Sequence, residues 1–392
     1  MLKLGILTSH PIQYQAPLFR ELSSRIDIHV YFAHKQTADE QAAAGFGTPF
    51  EWDVDLLTGY PQTFLKNCAT LPKVNTFRGC DTPDIIEEIN EGNFDAFLVM
   101  GWQLKCYWQA IRACHRSNVP VLVRGDSQLD TPRPWFKKLV KKILYRWLMR
   151  QFDGYLIVGQ KAKEYLLHYG APESRMFFSP HFIDNEWFRK QAADSDRRET
   201  LNSLGCDQKL KTILFVGKFI RKKRPADLVC AVAILKERCP DIEIQVLFVG
   251  SGALEDEIKK VAHQSKVPVV FAGFKNQSEL PAIYSASDLF VLPSDGGETW
   301  GLVVNESMAC GTPAIVSEMV GCAPDLIERG TTGAIFPVGD IECMATAMKE
   351  FLNKKQSNGV QKMISSKMSI YSVKTAADGV LAAMQNLCRI QA

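Results

Sequence analysis

No stretch of this 392-residue sequence approaches the roughly 18 consecutive apolar residues that a membrane-crossing helix needs. The opening Met1-Leu-Lys-Leu-Gly-Ile-Leu-Thr-Ser-His10 is a short apolar strand that stops at polar residues, without the longer apolar run and small-residue cleavage site of a signal peptide. A soluble, cytoplasmic chain is therefore expected. Charge of one sign is also missing. Lys and Arg number 46 against 43 Asp and Glu, so the net charge is only +3 and suggests no nucleic-acid partner. Clustered cysteine is absent too: the eleven are an odd number, and none has the C-x-x-C spacing of a zinc or redox site. Most sit among apolar neighbours, as in Leu228-Val-Cys230 and Met308-Ala-Cys310, and read as reduced thiols packed as small hydrophobes.

What is present is a regular alternation. Leu4–Leu7, Ile28–Phe32, Ala96–Met100, Val119–Val123 and Gly154–Val158 are short apolar runs separated by helical patterns. Thr212–Val216, Ile244–Val249, Val269–Phe271, Leu289–Leu292 and Ala314–Val316 repeat the scheme. Such runs between amphipathic helices predict parallel sheets covered on both faces, hence an α/β chain with two doubly wound, Rossmann-like domains. The polar stretch 184–207 reads as the linker between 1–183 and 208–365, with a helical segment over 366–392. Because open α/β sheets bind ligands at the carboxyl ends of their strands, the cleft between two such domains is the expected site.

Three places carry chemistry in the second half. Phe215-Val-Gly217-Lys218 leads through Lys222, Lys223 and Arg224 into a helical pattern. Cations at a helix start gain nothing from its dipole, but they suit a phosphate shared between lysines and helix amides. Gly250-Ser-Gly252 is a weaker strand–glycine–helix signal. Ser294-Asp-Gly296-Gly297-Glu298-Thr-Trp-Gly301-Leu-Val-Val-Asn-Glu306 is the most telling. Its glycines allow amides to approach an anion, and its two carboxylates are acceptors suited to sugar or ribose hydroxyls. Glu306 lies among Val303, Val304, Met308 and Ala309, so it is expected to be partly buried and to need a partner.

The string from Leu292 to Asp340 resembles the donor-binding region of glycosyltransferase family 4. The resemblance rests on a glutamate pair separated by seven residues, Glu298 and Glu306, and on Gly311-Thr-Pro313, Gly321-Cys-Ala-Pro-Asp and Thr332-Gly333. It implies the GT-B fold, two domains facing across a cleft, and transfer with retention from a nucleotide diphosphate sugar, UDP- or GDP-linked. It also implies Glu298 on the donor sugar, Glu306 on the ribose, and Gly301, Leu302 and Val303 amides on sugar and phosphate. The turn at Gly273 and Phe274 would hold the base, and Lys218 and Lys223, beside Gly217 and Gly250, the diphosphate. Lys218 stands where the family has arginine, which keeps the charge but loses the bidentate fork. No cofactor or metal is implied. The role is expected in surface polysaccharide or glycolipid assembly.

The first half matches the family less. Where the family has a histidine near the donor sugar, this sequence has Arg124-Gly125-Asp126. Arg124 is therefore a candidate catalytic residue alongside Glu298, Lys218 and Lys223. His10, Gln13, Tyr14, Asp126 and His181 are candidates for the acceptor side. Asp53-Val-Asp55 has the spelling of a metal motif, but reads as alternating aspartates on an edge strand. The segment 133–150 holds seven basic residues and no acid beside an apolar stripe. It reads either as a helix for an anionic membrane surface, consistent with a lipid-linked acceptor, or as one docked on its own sheet. Rival readings are a non-catalytic nucleotide-sugar binder and a sugar-nucleotide epimerase of the same fold.

Overall fold

The computed structural model describes residues 2–42, 49–130, 134–352 and 357–391, with side chains from 140 onward in the helix that begins at Trp135. Among them are thirteen strands in two all-parallel sheets. The first sheet contains β1 (Lys3–Thr8), β2 (Asp27–Phe32), β3 (Gln62–Phe64), β4 (Ala96–Val99), β5 (Val121–Gly125), β6 (Gly154–Ile157) and β7 (Met176–Phe178), ordered β3-β2-β1-β4-β5-β6-β7. The second contains β8 (Lys211–Val216), β9 (Ile244–Val249), β10 (Val269–Phe271), β11 (Leu289–Leu292), β12 (Ala314–Ser317) and β13 (Gly333–Phe336), ordered β10-β9-β8-β11-β12-β13.

Both sheets run outward from a first strand to one edge, then return past it to the other, the doubly wound order expected of Rossmann-like domains. Their central strands are continuous apolar runs because helices cover both faces; β4, β6, β9 and β11 are buried at every position. Three strands escape the sequence reading: β3, β7 and β13. All three are edge strands of three or four residues; β3 (Gln62-Thr-Phe64) holds a single apolar residue and β13 opens on a glycine, whereas β7 is apolar throughout though only partly buried.

The chain divides into two compact units, Met1–Thr37 with Asp55–His181 and Ser372–Ala392, and Ala38–Val54 with Phe182–Tyr371. The stretch 184–207, expected as a linker, carries two capped helices. Asp184 and Asp196 accept backbone N–H bonds from Trp187 (3.0 Å) and Glu199 (2.8 Å), capping the helices Asn185–Ala193 and Arg197–Ser203. Their Phe188 and Leu201 are buried in the second unit's core. The polar composition reflects the outer faces of two short helices. The last helix, Val373–Gln391, belongs to the first unit. There Asp378 pairs with Arg25 (2.6 Å), and Ser179 Oγ donates to the Ala376 carbonyl (2.9 Å).

The expected edge strand around Asp53 and Asp55 does not form, because both carboxylates hold turns instead. Asp53 accepts from the Ser278 amide (3.2 Å) and hydroxyl; Asp55 accepts from the amides of Leu57 (3.1 Å) and Thr58 (3.2 Å).

Candidate functional site

In the second sheet the winding reverses between β8 and β11, so the loops that leave these two strands flank the switch point. Two hydrogen bonds stitch them together: the Asp295 amide donates to the Lys222 carbonyl (2.8 Å), and the Lys222 side-chain Nζ to the Gly297 carbonyl (3.2 Å). Lys223 forms an ion pair with Glu298, and both side chains are nearly buried. Ser294 Oγ donates to the same Glu298 oxygen (3.4 Å).

Glu306 lies on the second turn of the helix Leu302–Ala309, 7% exposed, and Tyr284 Oη donates to it at 2.7 Å. Burial pushes its carboxyl up to about 7, against the hydrogen bond from Tyr284 and the charge of Lys223, which both pull it down. The expected partner exists. Tyr284 itself was not foreseeable, since it comes from the separate helix Leu280–Ala286. Lys218 is held below the usual lysine range by partial burial, then by the neighbouring cations Lys222 and Lys223, with Glu298 opposing. Three ammonium groups this close gain from an anion among them. The helix Leu302–Ala309 adds its N-terminal amides, and no side chain caps it.

Gly301, at φ +94°, begins that helix; a Cβ there would press on Leu292 and Val320 at 3.1 Å. Leu302 and Val303 follow it, half-buried, in the first turn. Gly250 serves differently from a phosphate loop. A Cβ on it would lie 2.1 Å from the Gly217 carbonyl oxygen, so its role is to let the β9 turn support the β8 loop. Gly273 accepts the Gly250 amide bond (2.8 Å), and space is open above its Cα. Phe274 packs on Phe50 with centroids 4.5 Å apart, and Asn276 donates to the Glu51 carbonyl (2.7 Å). Phe50 and its neighbours thus complete a turn more than 200 positions later, a contribution with no signal in the sequence.

The first unit gathers a second cluster at its own strand ends. Arg124 is buried at the end of β5 and donates to the carbonyls of Pro180 (2.8 Å) and Ser179 (3.4 Å). Burial lowers it to about 10, with Tyr14 and Asp126 opposing, so it remains a cation. His181, also buried, lies 3.9 Å from Asp126 and edge-on to Tyr14 with ring centroids 5.9 Å apart. Burial and the Arg124 charge hold its imidazole well below the usual range, and so neutral. Desolvation, reinforced by Asp126, pushes the Tyr14 phenol up to about 12. His10 bonds Ser9 Oγ through Nδ1 (2.9 Å), and Gln13 is half-buried beside it. Among the described residues no group of three or more His, Cys, Asp or Glu could hold a metal ion.

Residues 196–367 match the family model of glycosyl transferases group 1. The match covers the second domain. The group 1 domain contains Lys218, Lys223, Glu298 and Glu306, the constellation described above. Sulfoquinovosyl transferase SQD2 of Arabidopsis thaliana is 28% identical over 309 residues, 77% of this chain and 56% of that protein. The chain thus spans about half the length of this curated relative. Among solved structures, a glycosyltransferase from Rickettsia africae superposes with a TM-score of 0.74 at 14% identity, covering 99% of this chain and 98% of that one. Anabaena Alr3699/HepE in complex with UDP superposes at 0.71 and 15% identity, covering 98% of this chain and 100% of that one. At such identities the likeness establishes the fold, two Rossmann-like domains of GT-B type.

Proposed function

We propose that this protein is a retaining glycosyltransferase, moving a sugar from a UDP- or GDP-linked donor to an acceptor hydroxyl in surface polysaccharide or glycolipid assembly. The observation that carries the reading is the meeting of Lys218, Lys222 and Lys223 with Glu298 and Glu306 across the two loops of the group 1 domain. Alr3699/HepE, solved with UDP, has the same fold and supports a nucleotide donor.

The donor diphosphate lies among the lysines and the first amides of Leu302–Ala309. Glu298 accepts from sugar hydroxyls, and Glu306, oriented by Tyr284, from the ribose. The bond between the anomeric carbon and the phosphate oxygen breaks as the lysines neutralise the charge left on the diphosphate. The acceptor oxygen bonds to the same face of that carbon, and its proton passes to the leaving phosphate. Catalysis is then positional and electrostatic, without a metal. Arg124, with Tyr14 and His181, orients the acceptor side. The acceptor is a sugar or a lipid-linked sugar, met peripherally at the inner face of a membrane.

Incubation with a panel of labelled UDP- and GDP-sugars tests this. Release or transfer of one sugar, with the α or β anomer of the donor conserved in the product, supports it. Tight nucleotide-sugar binding without any turnover would instead make the protein a binder.

A further inference from the structure

The helix Trp135–Met149 has three faces rather than two. Arg133 and the side chains of Trp135, Lys137 and Lys138 lie outside the described residues, so the observations begin at Val140. Leu148 and Met149 are buried in the first unit's core. Lys141 extends over the rings of Tyr145, Tyr165 and Tyr169 at 4.6, 4.7 and 5.1 Å, fixing that side of the helix. The apolar stripe is therefore not used up in docking. Val140, Ile143, Leu144 and Trp147 are 57%, 67%, 57% and 54% exposed. At about 100° per residue these four fall within an arc of roughly 100°, one continuous exposed face. Beside it Lys142, Arg146 and Arg150 share an arc of roughly 80°, and all three are exposed.

Trp147 stacks on Trp108, centroids 5.5 Å apart and rings 6° from parallel, so the apolar face continues onto the helix Lys105–Arg116. There Arg112, one turn beyond Trp108, adds another exposed cation. Residues 131–152 contain no acid.

We infer that this face is a membrane-docking surface whose occupant is an anionic lipid bilayer. Val140, Ile143, Leu144 and Trp147 enter the boundary between headgroups and acyl chains, and Lys142, Arg146, Arg150 and Arg112 contact the headgroup phosphates. Charge selects this occupant. A second copy of the chain meeting the same face would bring like charges together, whereas an anionic leaflet complements both the apolar arc and its basic flank. The inference concerns attachment, not sugar transfer, so it stands or falls apart from the activity proposed above.

Flotation of the full chain with vesicles of phosphatidylglycerol and phosphatidylcholine tests it, beside vesicles of phosphatidylcholine alone. Binding is expected only to the anionic vesicles, falling at least tenfold on raising salt from 0.05 to about 0.5 M, where the Debye length is only a few ångströms. Two variants separate the contributions. Ile143→Ser/Leu144→Ser retains the charges and is expected to lose at least tenfold of the remaining high-salt binding. Lys142→Glu/Arg146→Glu is expected to lose the low-salt binding. Both positions are exposed, and an unchanged melting temperature and nucleotide affinity show that the variants remain folded. Failure of wild type to float with anionic vesicles at low salt overturns the inference. So does undiminished binding by the serine variant, which would leave only nonspecific adsorption. A dimer in solution that the serine variant dissolves would give the face to a second copy instead.

Discussion

The two sheets share their winding but present different chemistry at their carboxyl ends. The group 1 domain gathers three lysines and two glutamates around its switch point, with Lys223 paired to Glu298 and drawing on Glu306. The first domain gathers one buried cation, Arg124, which donates to main-chain carbonyls, with a neutral imidazole and a neutral phenol. On the function proposed above, the lysine-rich arrangement takes the donor diphosphate, and the first domain, with its single cation, takes the hydroxyl-bearing acceptor.

The largest expected effect follows directly. Lys223→Ala removes a charge-assisted phosphate contact and leaves Glu298 without its cation. Affinity for UDP or GDP should fall by about 1.5–3 kcal/mol, and kcat/KM by on the order of a hundredfold or more. Titration calorimetry and initial rates measure both. Arg124→Met, in the other cluster, should leave nucleotide affinity unchanged; if it weakens UDP as much as Lys223→Ala does, the division of labour is wrong.

Next is a pH effect confined to the group 1 domain. Glu306 ionises near pH 7 in the folded chain but near pH 4.3 when unfolded. Between these values the folded state binds the extra proton, so stability falls as pH rises from about 4.3 to 7, by up to roughly 3 kcal/mol. Glu306→Gln keeps the shape, cannot ionise, and should flatten that slope in denaturant titrations. An unchanged slope would mean that Glu306 is ionised throughout the range.

These expectations also explain which parts were legible beforehand. Glu298 and Glu306 are eight positions apart on one loop and helix, so spacing alone brings them together. Arg124 and His181 are 57 positions apart, and only the pairing of β5, β6 and β7 brings their strand ends together. Tyr284 gave no signal because its neighbours are an ordinary amphipathic helix. Central strands were visible as continuous apolar runs, whereas the edge strands β3, β7 and β13 were missed, β3 because Gln62-Thr-Phe64 holds a single apolar residue. The turn held by Asp53 was misread because alternating Asp-Val-Asp looks like a strand until Ser278 supplies its partner.

A smaller effect probes the first domain. The Tyr14 hydroxyl is protonated at any working pH, and its ring stands edge-on to His181. Tyr14→Phe should raise the KM for acceptor several-fold, about 1 kcal/mol for one hydrogen bond, with no change in UDP affinity. If instead UDP affinity falls and acceptor KM does not, the first domain's cluster contacts the donor.

The smallest expected effect is none. Exhaustive chelation with EDTA should leave activity intact, because the positive charge for the diphosphate is assigned to Lys218, Lys222 and Lys223. The rival ligands, Asp53 and Asp55, are committed elsewhere: Asp53 to the Ser278 amide and hydroxyl, Asp55 to the Leu57 and Thr58 amides and, at 3.5 Å, to Arg20. A metal would have to break these bonds before it gained a ligand. Activity lost in EDTA and restored by manganese or magnesium would overturn the assignment of charge to the lysines. Repeating the chelation on Lys223→Ala sharpens the comparison. If lysines alone carry the charge, added divalent ions should not rescue the variant; if a metal shares it, rescue should be measurable as a rise in kcat/KM.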